Sequence, residues 1–112
     1  MLQDKTYLLD ILIAARRIIE YTGGLSREQF EANNEKQDAV IRMIQVIGEA
    51  SRMLSPEFRQ SHQEIPWREI IGMRHRLVHE YFDIDLDEVW RAIEQDMPLL
   101  IPQLERLVPS DE

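Results

Sequence analysis

Cysteine is absent from the 112 residues, which excludes a disulfide framework and any thiolate metal site and fits a reducing compartment. Glycine occurs only four times, and no Asn-Gly pair or long apolar–polar alternation is present, so the usual signals for strands and hairpins are missing. Long apolar runs are lacking too. Leu8-Leu9 and Ile11 to Ala15 are the longest, interrupted by Asp10 and followed by Arg16-Arg17, far short of the roughly 20 residues a membrane helix needs. Asp4 ahead of the first apolar segment, with no small-residue cleavage site after it, does not read as a secretion signal. These absences leave a cytoplasmic chain with no membrane partner. Positive charge is also in short supply: 13 Lys and Arg face 21 Asp and Glu, a formal charge of −8. A field of that sign does not draw in nucleic acid. The deficit is uneven, however. Residues 83–112 set nine carboxylates against Arg91 and Arg106, whereas residues 67–79 set Arg68, Arg74 and Arg76 against Glu69, with His75 and His79 beside them. A polyanion site, if present, belongs in that second segment.

What the chain does have is helical periodicity. Leu8, Ile11, Leu12, Ala15, Ile18, Ile19 and Thr22 follow three-and-four spacing and make one apolar stripe, which Gly23-Gly24 ends. Ser26 with Gln29 reads as a capping box for a short helix. A second long helix is expected from about Glu35 to Leu54, with Val40, Met43, Ile44, Ile47, Ala50, Ser51 and Leu54 on one side. Gly48 lies at the edge of that stripe, where a missing side chain permits close approach of another helix. Ser55-Pro56 is a cap followed by a first-turn proline, and Gln60 to Glu64 reads as a loop. Pro66 opens a third long helix expected to reach Phe82, and a fourth starts near Asp85 with Val89, Trp90, Ile93, Met97, Leu100, Ile101 and Leu104 as its stripe. Pro98 and Pro102 predict a kink or a break there. Residues 109–112 read as an acidic tail after a single domain over 1–108. The fold class is all-α: an up-and-down bundle of four main helices plus one or two short ones.

On a helical wheel, Arg74 falls inside the apolar arc formed by Ile70, Met73, Leu77, Val78, Tyr81 and Phe82. An arginine there needs a partner, because taking its charge out of water costs several kcal/mol. It either pairs with a carboxylate, snorkels to an edge, or borders a cleft that holds an anion. His79 lies about 140° away on an unbroken helix, so the two do not aim at one point within one chain, while His75 and His79 share a face. Histidines four apart also suit a metal, but no acidic ligand set accompanies them, and neither metal nor cofactor is expected.

The run Gly72-Met73-Arg74-His75-Arg76-Leu77-Val78-His79-Glu80-Tyr81-Phe82 resembles the signature of the HepT-like branch of HEPN-domain proteins: Arg, a polar residue, three more, His, any residue, Tyr. Ile47-Gly48-Glu49-Ala50, Ile65-Pro66-Trp67, and Ile84-Asp85 with Val89-Trp90 agree with it in order. The likeness runs from the first helix to about Leu104. It implies a HEPN-like bundle and a metal-independent endoribonuclease toxin of a type VII-like toxin–antitoxin pair, acting on RNA as a homodimer. It implies as partner a minimal nucleotidyltransferase antitoxin of the MntA type, which attaches AMP to the motif tyrosine, here Tyr81. The position after the arginine is commonly asparagine in the family, and His75 departs from that. The family motif sits in a cleft between two protomers, which resolves the divergence of Arg74 and His79.

The residue types suit that chemistry. Cleaving RNA without metal requires activating the ribose 2′-hydroxyl against the adjacent phosphate, and histidine is the side chain whose ordinary pKa suits the proton transfer. His79 is assigned as general base or acid, Arg74 as the fork that grips phosphate oxygens and offsets transition-state charge, and His75 as a second proton carrier or phosphate contact. AMP on Tyr81 adds bulk and negative charge at the cleft, disfavouring a second phosphate chain. The rival readings are a non-catalytic HEPN subunit that binds or regulates a nucleotidyltransferase, and a plain helical dimerisation domain in which Arg74 is a structural ion pair.

Overall fold

The structure, a computed structural model, describes residues 2–80 and 82–108. Its elements in order are α1 (Leu2–Thr22), α2 (Arg27–Glu31), α3 (Asn34–Met53), α4 (Pro56–Ser61), α5 (Trp67–Ile71), α6 (Met73–Leu77), β1 (Val78–Glu80), β2 (Asp83–Ile84), α7 (Leu86–Arg91), a π-type turn over Ala92–Asp96, and α8 (Met97–Leu107). This is an all-α bundle carrying one small hairpin. The tail expected over 109–112 lies outside the described residues.

Local chemistry sets most boundaries. Gly24 ends the first connection at φ +80°, a left-handed conformation that side chains with a Cβ resist. Ser26 and Gln29 form the expected capping box. Asn33 caps α3 by accepting from the Lys36 amide at 3.0 Å, and Ser55 caps α4 by accepting from the Phe58 amide at 3.1 Å. Buried Asp4 then reaches across from α1, its carboxylate accepting from the Ser55 amide at 2.9 Å and the Ser55 hydroxyl at 2.8 Å.

The apolar stripes meet as their spacing predicts. Leu8, Ile11, Ala15 and Ile18 of α1 are buried against α3 and α8, whose Val40, Ile44, Ile47 and Leu104 are buried in turn. Ile19 stands exposed at the edge of its stripe. Phe30 of α2 is fully buried beside Trp90, ring centroids 5.6 Å apart, and the Gln37 amide donates to the Phe30 and Glu31 carbonyls, fixing α2 on α3. The two prolines act differently. Pro98 sits in the first turn of α8, where proline is tolerated, and a wider π-type turn precedes it. Pro102 lies inside α8, which continues through it without the expected break.

The third long helix is where the structure departs from expectation. Gly72 separates α5 from α6, and helix ends at Leu77 rather than Phe82. Val78 is extended at φ −127°, ψ 113°, and β1 pairs antiparallel with β2, Val78 opposite Ile84 and Glu80 opposite Asp83, with an irregularity between. Val78 and Ile84 are β-branched, which suits a pleated segment; Val78 is buried and Ile84 packs partly buried against the core. The Asp85 amide donates to the Leu77 carbonyl at 2.8 Å, closing the hairpin before Asp85 caps α7. Among the described residues no helix is long and apolar enough to cross a membrane.

Candidate functional site

The segment bearing the charged motif is held at both ends. Ahead of it, the Trp67 indole N–H donates to the His62 carbonyl at 3.0 Å, and the His62 ring stacks on Phe58, centroids 4.2 Å apart. Trp67 is thereby buried at the start of α5. Beneath it, Gly48 lets α3 approach the last turn of α5: a Cβ there would stand 3.4 Å from the Ile71 carbonyl oxygen and 3.6 Å from that of Ile70. The glycine singled out by the sequence is therefore a packing contact, and its place is directly under the entry to α6.

Arg74 is the second residue of α6. It is half-buried, and its Nε is buried with no hydrogen-bond partner among the described residues. No carboxylate pairs with it: the ion pairs among the described residues engage Arg16, Arg27 and Arg91. Among the described residues no structural ion pair is found that would make Arg74 a mere bundle fastener. Instead Arg74 lines a cleft of about 340 Å³ between α3 and the α5–α6 junction. Gly48, Glu49 and Arg52 line its α3 side, and His75 stands beside Arg74 on the other. Two guanidiniums and an imidazole face a single carboxylate, so the opening favours an anion despite the negative balance of the whole chain. A planar fork with an unsatisfied donor suits phosphate oxygens, which accept two parallel hydrogen bonds.

The structure does not bring every expected residue to that cleft. His79 is exposed on β1 and is not among the residues lining it within one chain. Because the helix ends at Leu77, the geometry that put His79 about 140° from Arg74 does not apply, and His75 and His79 do not share a helical face. Phe82, expected in the buried arc, is 94% exposed; the hairpin turns it outward. Tyr81 lies outside the described residues. Arg52 is a lining residue that spacing alone did not single out, although it sits one helical turn after Gly48, and that offset is its signal. Among the described residues no group of three or more histidine or acidic side chains is placed to hold a metal ion.

Comparison with known proteins agrees over nearly the whole length. Residues 11–107 match the ribonuclease HepT-like family. A probable ribonuclease HepT of Thermococcus cleftensis is 41% identical over 103 residues, which is 92% of this chain and 94% of that protein. A putative RNase of Methanocaldococcus jannaschii is 38% identical over 101 residues, 90% of this chain and 93% of its own length. A putative RNase of Caldanaerobacter subterraneus is 35% identical over 112 residues, spanning both chains completely. No solved structure matches the chain significantly.

Proposed function

The chain belongs to the ribonuclease HepT-like family, and on that footing we propose that it is a metal-independent endoribonuclease whose working residues are Arg74 and His79. The observation that carries this reading is Arg74 itself: half-buried, clear of any carboxylate partner among the described residues, with an unsatisfied Nε beside an anion-favouring cleft. In the proposed reaction Arg74 holds the non-bridging oxygens of one phosphodiester. His79 takes the proton from the adjacent 2′-hydroxyl, the 2′-oxygen bonds to phosphorus, and the bond from phosphorus to the 5′-oxygen breaks. The departing 5′-oxygen takes a proton from His75 in its charged form or from water, leaving a 2′,3′-cyclic phosphate and a 5′-hydroxyl. Preorganised charge at the phosphate contributes about 10²–10³-fold in such reactions, and proton transfer at the hydroxyl about 10²–10⁴-fold.

His79 reaches the reaction from a second copy of the chain in this proposal. Its exposure on β1, together with the outward Phe82 on the same hairpin, supports a homodimer in which two motif segments face each other around a twofold axis. The test is RNA cleavage in excess chelator by the wild type, Arg74→Ala and His79→Ala. Wild-type cleavage with cyclic-phosphate ends, lost in both folded variants, is the expected result; cleavage retained in either variant removes that residue from the mechanism.

Control by a partner is the finer part of the proposal. A nucleotidyltransferase antitoxin would direct the Tyr81 oxygen onto the α-phosphorus of ATP, with pyrophosphate leaving. The adenylate would then carry negative charge to the residue following Glu80, close in sequence to His79, and repel the RNA backbone. Intact-mass measurement after co-expression with such an enzyme should show added AMP that is absent from Tyr81→Phe. Equal modification of Tyr81→Phe would place the acceptor elsewhere.

A further inference from the structure

A second cleft adjoins the first, and neither the family resemblance nor the proposed reaction gives it a role. It has a volume of about 390 Å³ and lies between α4 and α5. Ile71 lines both clefts, so the two openings meet at one residue. Arg59 of α4 and Arg68 of α5 line the second cleft, and no carboxylate does. Arg59 repeats the peculiarity of Arg74: it is half-buried, and its Nε is buried with no partner among the described residues. Arg68 is exposed, and neither arginine takes part in the ion pairs found there. In a chain of net charge −8, two adjoining clefts whose lining holds Arg52, Arg59, Arg68 and Arg74 against Glu49 alone are a local inversion of sign. The contrast lies on the other side of α5. There a cleft of about 630 Å³ is lined by Glu64, Glu69, Glu88 and Asp96 against Arg76 and Arg91, and repels a polyanion.

The walls of the second cleft define what the cations hold. Pro56, Trp67 and Ile71 supply apolar surface, and Gln60 and Gln63 supply amide donors and acceptors at its rim. Cations that follow a phosphate backbone, with apolar surface against which a base can lie, are the elements of single-stranded nucleic-acid binding. We propose that this cleft is a subsite for the RNA nucleotide flanking the scissile linkage. Arg59 and Arg68 hold its phosphate, Pro56, backed by the buried Trp67, packs its base, and Ile71 is the ridge over which the strand passes to Arg74. This rests on the ribonuclease reading, and it extends the substrate from one linkage to a strand. The Phe58–His62–Trp67 cluster gains a purpose as well, since it fixes the wall and the start of the helix that carries Arg68.

The test separates binding from cleavage. Salt-dependent binding of a 2′-O-methyl RNA decamer, which cannot be cleaved, is measured for the wild type, the Arg59→Gln/Arg68→Gln variant and the corresponding double lysine variant. Cleavage of unmodified decamer and of a pool of dinucleoside monophosphates is measured alongside. Removing the grip on that one phosphate should weaken decamer binding about tenfold and lower the slope of log affinity against log salt by about 0.7, with lysine restoring most of both. For cleavage, KM of the decamer should rise about tenfold while kcat and the rate on dinucleotides stay unchanged. Decamer binding and salt slope equal to wild type in the glutamine variant would overturn the subsite while leaving the nuclease intact. A wild type that binds with this arginine dependence but never cleaves would keep the subsite and remove the nuclease. Equal loss on dinucleotides and decamer would overturn the subsite too, by making the arginines part of the reacting centre or of the fold; no RNA binding by the wild type would overturn it outright.

Discussion

Single side chains decide the two charged contacts that matter most, and they do so in opposite ways. Asp4 is buried and answered: it accepts from both the amide and the hydroxyl of Ser55, so one carboxylate ties the start of α1 to the cap of α4. Hydrogen bonds to a charged group contribute about 1.5–3 kcal/mol. Asp4→Ala should therefore lower unfolding free energy by about 2 kcal/mol in urea titration; a change within about 0.5 kcal/mol, the scale of an ordinary surface substitution, would mean the contact is idle. Arg74 is half-buried, and its Nε has no partner among the described residues, which is what the proposed grip on an anion requires. Its position inside an apolar arc was legible from spacing alone, because arginine among Ile70, Met73 and Leu77 violates the pattern. Whether its answer was a carboxylate or a cleft was not, since that depends on which side chains of α3 come opposite.

At the scale of elements, the caps at Ser26, Ser55 and Asp85 could be read directly: each accepts a local amide bond, an interaction confined to a few residues of sequence. The hairpin could not. Residues 78–84 place apolar side chains at spacings that suit a helix wheel, and a run so short does not separate the two periods. The tertiary contact that chooses is the Asp85 amide on the Leu77 carbonyl, invisible in the sequence. The same blindness hid the second break, at Gly72. Gly48, by contrast, was identified as a close approach, and the structure supplies its partner, the last turn of α5. Gly48→Ala should be tolerated, because its Cβ just reaches contact at 3.4 Å from a carbonyl oxygen while alanine favours helix by about 1 kcal/mol. Gly48→Val should cost about 1–3 kcal/mol through overpacking and lower cleavage by displacing α5 from α3. Thermal melts and cleavage rates of the pair check this; a valine variant with wild-type stability and rate would show that the approach is not needed.

For the molecule as a whole, charge is the organising quantity. A chain of −8 sets Arg52, Arg59, Arg68 and Arg74, none of them in an ion pair among the described residues, beside two adjoining clefts, and lines the groove on the other side of α5 mainly with carboxylates. Under the proposed reading, such a surface would steer a polyanion to one route. Segment 67–79 is marked by its local excess of positive charge, but Arg52 and Arg59 lie ahead of it, on α3 and α4, and join it only through folding. The central claim is that Arg74 and His79 serve one and the same linkage, although a single protomer does not set His79 in the cleft. Groups acting as a unit lose their effects non-additively. The most direct measurement is therefore the single-turnover cleavage rate, in chelator, of wild type, Arg74→Ala, His79→Ala and the double variant, all with unchanged circular dichroism. Arg74→Ala should slow cleavage by about 10²–10³-fold and His79→Ala by about 10²–10⁴-fold, and the double variant should be little slower than the worse single. A wild-type rate in either single variant, or losses in the double variant that simply multiply, would contradict the shared site.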